Sequence, residues 1–212
     1  MEVIKNVVLV HGFFRRGRNM RYLAQILEQK GYRAFAPTLP TTFRCVQECS
    51  EKLAQMIEKR VHNGNVVHFV GHSMGGLVIR NYLSCRVVEG LGRVVLIGTP
   101  NGGSPYANLL LGLPFSRKVF ESLPDLAEPG LDIAPPRNFP APEVGIIIGT
   151  KPDFVRRILL PGENDGLVTA ESVRCIDASD EMSIPCSHER LHWRADTAEA
   201  VVSFLETGKF PA

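Results

Sequence analysis

The feature that most constrains this chain is a serine between glycines at residues 71–76, which read Gly-His-Ser-Met-Gly-Gly. An apolar run at 66–70 precedes it, and apolar residues at helical spacing follow it. A strand, a Gly-x-Ser-x-Gly turn and a helix form a nucleophile elbow, whose strained turn lifts the serine hydroxyl above the sheet. Only very small side chains fit two residues before and after the serine, as Gly71 and Gly75 do. We therefore predict Ser73 as a catalytic nucleophile; the alternative is an ordinary strand–helix turn.

Segments typical of strands alternate with segments typical of helices along the whole chain. That alternation predicts an α/β fold with a mostly parallel sheet of about six strands flanked by helices. The predicted strands are residues 6–10, 32–36, 66–70, 93–97, 143–149 and 173–176. The predicted helices begin at Asn19, at Thr41 or Thr42, at Met74 and at an Asp196 cap, and the second ends near Asn63-Gly64. In such sheets, chemistry collects beyond the carboxyl ends of the strands.

Residues 101–142, after the fourth predicted strand, interrupt this alternation. They hold 8 of the 15 prolines of the chain, with leucines and phenylalanines interleaved. We expect short helices near 106–111 and 116–123. Since the sequence shows no second-domain linker and no internal repeat, we predict one domain over residues 1–212 with an irregular insertion at 101–142.

A catalytic serine needs a base within hydrogen-bond reach, and the base needs an acidic group that orients it. On a fold with a nucleophile elbow, these groups follow in the order serine, acid, histidine. We predict Asp165 as the acid, because it lies in a glycine-flanked turn between the last two predicted strands. Asn-Asp-Gly is also simply a good turn sequence, and Asp153 and Glu163 are the alternative acids.

Two histidines follow Asp165 along the chain, His188 and His192. A catalytic imidazole has to reach over the edge of the sheet, which favours the loop position of His188 over the helix-leading turn that holds His192. We therefore predict His188 as the base. Among the histidines that precede the acid, three are interpreted as structural or solvated: His62, His68 and His72.

Acyl transfer passes through an oxyanion that needs preorganised N–H donors. The amide of Met74 is one candidate, because it lies at the start of the predicted helix, where N–H groups are unpaired. The second donor of an elbow hydrolase comes from the turn after the first strand, here His11-Gly12-Phe13. We expect Gly12 to allow the close turn and Phe13 to supply the amide; the alternative is a plain turn at the strand end.

Composition argues against several other classes of function. The net charge of the chain is +2, without a basic cluster interleaved with aromatic residues, which argues against nucleic-acid binding. Since no segment approaches ~18 consecutive apolar residues, we expect no integral membrane segment. Histidines and cysteines lack metal-ligand spacing, and no phosphate loop or dinucleotide fingerprint follows the first strand, so we expect neither a metal nor a cofactor.

The cysteines and the start of the chain bear on the compartment. The five cysteines form no Cys-x-x-Cys pair, which is typical of free thiols in a reducing cytosol. A bond between Cys175 and Cys186 is the alternative for an exported protein. The apolar run at the start of the chain is too short and too early for a signal peptide. We therefore expect a cytoplasmic protein of unknown oligomeric state.

Taken together, these motifs resemble small bacterial lipases and esterases of the α/β-hydrolase superfamily. The resemblance rests on residues 9–13, 71–76 and 187–188, on Gly-Thr-Pro-Asn-Gly-Gly-Ser at 98–104 and on Asn-Asp-Gly-Leu-Val at 164–168. It implies a minimal α/β-hydrolase sheet without the two leading antiparallel strands of larger members. It also implies a Ser73–His188–Asp165 triad, with the amides of Phe13 and Met74 as the oxyanion hole.

The expected reaction is hydrolysis of a small-molecule carboxylic ester or lipid-like acyl substrate through an acyl-enzyme. The insertion would then form the acyl pocket or a lid, and we expect Phe14, Leu109, Leu113 and Phe115 to bind the substrate. The same chemistry would serve an acyltransferase, a thioesterase or an amidase. A non-catalytic binding protein that retains the fold is the alternative outside enzymes.

Overall fold

A computed structural model describes residues 5–60, 65–153 and 160–211. Within these residues, six strands form one sheet in the order β2-β1-β3-β4-β5-β6, and each neighbouring pair is parallel. The strands are β1 (Lys5–Val10), β2 (Arg33–Phe35), β3 (Val66–His72), β4 (Leu91–Ile97), β5 (Val144–Gly149) and β6 (Asp180–Ile184). The predicted α/β fold with a parallel sheet of six strands is confirmed for the described residues, including the insertion after the fourth strand.

Helices cover both faces of this sheet. They are α1 (Arg21–Gln29), α2 (Val46–Ile57), α3 (Met74–Cys85), α4 (Pro105–Leu111), α5 (Ser116–Val119), α6 (Leu123–Leu126), α7 (Ala170–Val173), α8 (His188–Leu191) and α9 (Ala195–Thr207). A 3₁₀ turn, Gly17–Met20, leads into α1. Helices α4, α5 and α6 lie in the insertion, which separates β4 from β5 along the chain.

Side chains of the central strands alternate between two hydrophobic cores, as the two-residue period of a strand requires. In β1, Val8 and Val10 pack in the core with α2 and α3, whereas Val7 and Leu9 pack in the core with α1 and α9. All four are fully buried. A strand buried on both faces needs a continuous apolar run, which is the pattern that predicted it.

The parallel register brings three strand ends to one edge of the sheet. Val10 pairs with Gly71 and His72 pairs with Ile97, so the residues that follow β1, β3 and β4 emerge side by side. The backbone N–H of Ser73 donates to the carbonyl of Ile97 over 2.8 Å, which ties the start of the elbow to the neighbouring strand. The sheet therefore places Ser73 in the middle of its carboxyl edge.

The sixth strand lies later than predicted. Val173 is the last residue of α7, and the strand is Asp180–Ile184. The apolar run at 173–176 was misleading because Val173 is buried as part of a short helix. The true strand is at an edge of the sheet, where the exposed side chains of Glu181 and Ser183 alternate with partly buried or buried ones and interrupt the apolar pattern.

Two predicted helix starts are also wrong. Helix α2 begins at Val46, because its first N–H donates to Asp125 Oδ2 of the insertion over 2.7 Å, and not at Thr41 or Thr42. Its last residue is Ile57, and the predicted end at 63–64 lies outside the described residues. Helix α9 begins at Ala195, so that its supposed cap, Asp196, lies inside the first turn.

Two further observations concern membrane spans and disulfide bonds. No helix among the described residues is long and apolar enough to cross a membrane. The cysteines all lie in the described part of the chain and are free: Cys45, Cys49, Cys85, Cys175 and Cys186.

Candidate active site

The turn between β3 and α3 has the strained geometry of a nucleophile elbow. Ser73 has φ 55° and ψ −130°, a region that residues other than glycine rarely occupy. A Cβ on Gly71 would lie 2.6 Å from the backbone nitrogen of Gly76, and one on Gly75 would collide with the carbonyl of Val10. Glycine is therefore required at both positions, because neighbouring backbone atoms occupy the space that a side chain would need.

Asp165 is held in a fixed orientation beneath this edge of the sheet. Its Oδ1 accepts hydrogen bonds from the backbone N–H groups of Leu167, over 3.0 Å, and Val168, over 2.8 Å. Only 1% of the residue is exposed. A Cβ on Gly149, at the end of β5, would lie 2.7 Å from Asp165 Cβ, so the close approach of strand and turn depends on that glycine.

The second carboxylate oxygen of Asp165 faces His188. Oδ2 lies 2.6 Å from His188 Nδ1, and the backbone N–H of His188 donates to the carbonyl of Asp165 over 3.0 Å. His188 is 4% exposed and begins the short helix α8. A buried carboxylate that accepts from Nδ1 leaves Nε2 as the free, unprotonated nitrogen of a neutral imidazole.

Ser73 and His188 line the same cavity. Among the described residues, no hydrogen bond joins Ser73 Oγ to the His188 ring. Such bonds are often long or misaligned in ligand-free enzymes and tighten when substrate binds. The structure thus brings together Ser73, His188 and Asp165 at one rim of the sheet.

The other candidate acids and the other candidate base lie elsewhere. Asp153 is exposed, and so is Glu163, whose carboxylate lies 3.7 Å from the guanidinium of Arg174. His192 is buried, and neither of its ring nitrogens has a hydrogen-bond partner in the described part of the chain.

The two candidate oxyanion amides flank Ser73. A Cβ on Gly12 would lie 2.8 Å from Ser73 Cβ, so the turn that carries Phe13 lies directly against the serine. Met74 is the first residue of α3. Within the described residues, the N–H groups of Phe13 and Met74 have no hydrogen-bond partner, which leaves both donors available to a ligand.

His11 holds the Gly12 turn in place. Its Nε2 accepts from the backbone N–H of Leu39 over 3.0 Å, and its Nδ1 lies 3.0 Å from the carbonyl of Gly12. Thr41 Oγ1 donates to the same carbonyl over 2.9 Å. Burial lowers the pKa of His11, which keeps the ring neutral and able to accept at one nitrogen while donating at the other.

His72 and His192 pack behind His188 as a cluster of buried imidazoles. The ring centroids of His72 and His192 are 4.1 Å apart, and those of His72 and His188 are 5.0 Å apart. His72 Nε2 lies 3.1 Å from the carbonyl of His188 and supports the start of α8. Burial, and then the neighbouring imidazoles, lower the pKa of His72 well below its usual value, and burial lowers the pKa of His192 to about 3. Both rings are therefore neutral at pH 7.

The cavity beside Ser73 has a volume of about 380 Å³. Its lining is mainly apolar and comes from the turn after β1, from the insertion and from the loop after Asp165. The residues that line it are Phe13, Phe14, Arg15, His72, Ser73, Pro100, Ser104, Tyr106, Ala107, Leu110, Leu123, Leu126, Leu167, Val168, His188 and Glu189.

Of the predicted substrate-binding residues, only Phe14 lines this cavity. Leu109, Leu113 and Phe115 are 58%, 57% and 75% exposed and lie outside it. Helix α4 places Leu110 in the cavity lining instead, and Leu111 packs against the hydrophobic core. The sequence Pro-Tyr-Ala-Asn-Leu-Leu-Leu is apolar on several faces, so spacing alone did not reveal which face is buried.

The prediction also missed residues from other parts of the lining. Leu123 and Leu126 come from α6, and Arg15 follows the aromatic pair after Gly12. Leu167 and Val168 immediately follow Asp165 in the sequence, and that adjacency was the available signal. Among the described residues, no group of three or more His, Cys, Asp or Glu side chains is arranged to hold a metal ion.

Similar folds occur among solved structures. Bacillus licheniformis lipase BlEst2 in its mature form matches with a TM-score of 0.75 and 19% identity, over 97% of this chain and 92% of that one. In the propeptide form of that lipase, this chain covers 47% of the length. A pyrethroid hydrolase from Sphingobium faniae JZ-2 matches at 18% identity and a TM-score of 0.61, over 97% and 98% of the two chains.

The metagenomic carboxyl esterase MGS0156 matches at 16% identity and a TM-score of 0.71, over 89% of this chain and 65% of that one. At such identities the likeness establishes the fold alone. Comparison with curated proteins gives no significant match. The model of the Alpha/beta hydrolase family matches residues 7–205, nearly the whole chain, and the protein therefore belongs to the alpha/beta hydrolase family.

Proposed function

We propose that the protein is a serine hydrolase that cleaves carboxylic esters through an acyl-enzyme, with Ser73 as nucleophile, His188 as general base and Asp165 as the acid that orients it. The observation that carries this proposal is the buried 2.6 Å contact between His188 Nδ1 and Asp165 Oδ2 at the rim of the cavity that Ser73 lines. An imidazole that a buried carboxylate holds in place can act as the base that activates a neighbouring serine hydroxyl.

The proposed reaction has two halves. His188 Nε2 takes the proton of the Ser73 hydroxyl as Oγ attacks the ester carbonyl, and the same proton passes to the departing alcohol. Water then attacks the acyl-enzyme with His188 again as base, which releases the acid and restores Ser73. Asp165 holds the imidazole in the tautomer that can accept and stabilises the imidazolium that forms.

The developing oxyanion would lie between the amides of Phe13 and Met74. Each such donor is worth about 10²–10³ in kcat. The Met74 amide has the added support of the helix dipole of α3, a helix of 12 residues. The strained Ser73 backbone favours this role, because it aims the hydroxyl and the adjacent amide at one point.

The size and lining of the cavity are suited to an ester with an apolar acyl group of modest size. Six leucine and phenylalanine side chains lie in its wall, and its volume of about 380 Å³ is near the lower end of the range for ligand pockets. Helices α4 and α6 of the insertion contribute Leu110, Leu123 and Leu126 to that wall. We therefore expect short and medium acyl chains to be cleaved faster than long ones.

The test is a panel of p-nitrophenyl esters of graded acyl length, assayed with the wild type and Ser73→Ala. We expect an optimum at short to medium chains, and a loss of about 10⁴–10⁶ in rate in the variant. Product analysis with added alcohols and thiols separates hydrolysis from acyl transfer. Wild-type protein without activity on any ester of the panel would contradict the proposal, as would activity that survives in Ser73→Ala.

A further inference from the structure

A cationic side chain, Arg15, borders the mainly apolar cavity. Arg15 follows Phe13 and Phe14 in the turn after β1, and its side chain is partly buried and lines the cavity with Ser73. The backbone N–H of Arg15 donates to the carbonyl of Gly12 over 3.3 Å, so the same turn that carries the Phe13 amide fixes the position of this arginine.

The charge of Arg15 has no counter-ion in the described residues. Four arginines of that part of the chain lie in ion pairs, and Arg15 is not among them: Arg44, Arg93, Arg174 and Arg194. A partly desolvated guanidinium without a partner is unfavourable, and an anionic group on a ligand would remove that cost.

Arg15 lines the cavity together with the imidazoles of His72 and His188. Burial and the neighbouring imidazoles lower the pKa of His72, burial and His188 lower that of His192, and the positive charge of Arg15 lowers both further. These two rings pack behind His188, which would hand its proton to the departing alcohol. Apart from Phe13 and Phe14, which precede Arg15, the apolar wall comes from the insertion and from the loop after Asp165.

We propose that Arg15 is a specificity-determining residue, and that the substrate is an ester of an apolar acid whose alcohol moiety carries an anionic group. The acyl chain would lie against the leucines of the insertion, and the anion would bind the Arg15 guanidinium. A carboxylate, a sulfonate and a phosphate share the required chemistry, because each offers oxygens to a planar pair of N–H donors. This inference rests on the proposed ester hydrolysis.

The experiment compares two hexanoate esters that differ in charge and little in shape. One is the ester of 4-hydroxybenzenesulfonate, and the other is the ester of 4-hydroxyphenyl methyl sulfone. The quantity of interest is the ratio of kcat/KM for the anionic ester to that for the neutral ester. The ratio for each variant is divided by the wild-type ratio. Because the two alcohols differ in leaving-group reactivity by the same factor for every variant, that factor cancels.

We expect the ratio to fall about 10- to 100-fold in Arg15→Gln, the usual worth of a hydrogen-bonded charge pair. Arg15→Lys keeps the charge and should retain part of the preference. Arg18→Gln is the matched control, because Arg18 is exposed in the same loop and does not line the cavity; its ratio should equal that of the wild type. Raising NaCl from about 0.02 to 0.5 M should lower the wild-type ratio by screening.

An unchanged ratio in Arg15→Gln, or an equal fall in Arg18→Gln, would overturn the inference while leaving ester hydrolysis standing. If the wild type cleaved neither ester, or if Ser73→Ala cleaved both, the proposed function itself would fail and the inference with it. A circular-dichroism melt of each variant shows that a change in ratio does not arise from unfolding.

Discussion

Replacing Asp165 by asparagine is the sharpest test of the proposed acid. The side chain keeps its size, so Oδ1 continues to accept from the N–H groups of Leu167 and Val168. The amide nitrogen must then take the place of Oδ2, 2.6 Å from His188 Nδ1. Because that amide only donates, it forces the imidazole into the tautomer that accepts at Nδ1 and carries its proton on Nε2.

An imidazole protonated on Nε2 cannot accept the proton of Ser73. The wrong tautomer lowers kcat by about 10⁴ in a serine protease with this arrangement, which corresponds to about 5.4 kcal/mol at 1.36 kcal/mol per factor of ten. We expect a loss of that order for Asp165→Asn on any ester that the wild type cleaves. Steady-state kinetics with a p-nitrophenyl ester measures it, and a thermal melt shows that the fold is retained.

The alternative acids provide matched controls. Asp153→Asn and Glu163→Gln remove the same charge at exposed positions away from the cavity, and both should retain nearly full activity. A fall of less than tenfold in Asp165→Asn, or a 10⁴-fold fall in either control variant, would refute the assignment of Asp165 and the tautomer argument behind it.

Gly75→Ala should destabilise the fold by about 3 kcal/mol or more, a drop of roughly 6–12 °C in Tm, because the new methyl overlaps the Val10 carbonyl; a melt unchanged within 2 °C would contradict this. Burial lowers the pKa of His192 to about 3 and that of His68 to about 4, so unfolding takes up protons below pH 6.5. In urea unfolding, each of these two histidines should therefore lower the free energy of unfolding by about 2 kcal/mol at pH 5 relative to pH 8. The variant His192→Leu should lack the contribution of His192 to that decrease. Asp125→Ala should lower the free energy of unfolding by about 1 kcal/mol, since it removes the hydrogen-bond acceptor of the first N–H of α2. An unchanged free energy of unfolding in chemical denaturation would contradict this.

Local steric rules made the elbow predictable. The turn itself requires small residues at positions 71 and 75 and a strained backbone at Ser73. These requirements involve only a few consecutive residues, so they can be recognised without knowledge of the rest of the fold. Buried strands such as β1 and β3 were predictable for the same reason, because burial on both faces demands an unbroken apolar run.

Features set by distant contacts were not predictable in this way. The start of α2 depends on Asp125, which lies 79 residues away along the chain. Strand β6 is stabilised by pairing with β5, and its own alternation of charged and apolar residues is weak. The inward face of α4 is decided by packing, so that Leu110 lines the cavity and Leu109 does not.

The central claim is that Ser73 is an activated nucleophile. The most direct measurement is mass spectrometry of the protein after reaction with a fluorophosphonate, followed by peptide mapping. We expect a single adduct on the peptide that contains Ser73, formed slowly or not at all in Asp165→Asn and absent in Ser73→Ala. An unlabelled wild type, or an adduct on another residue, would contradict it.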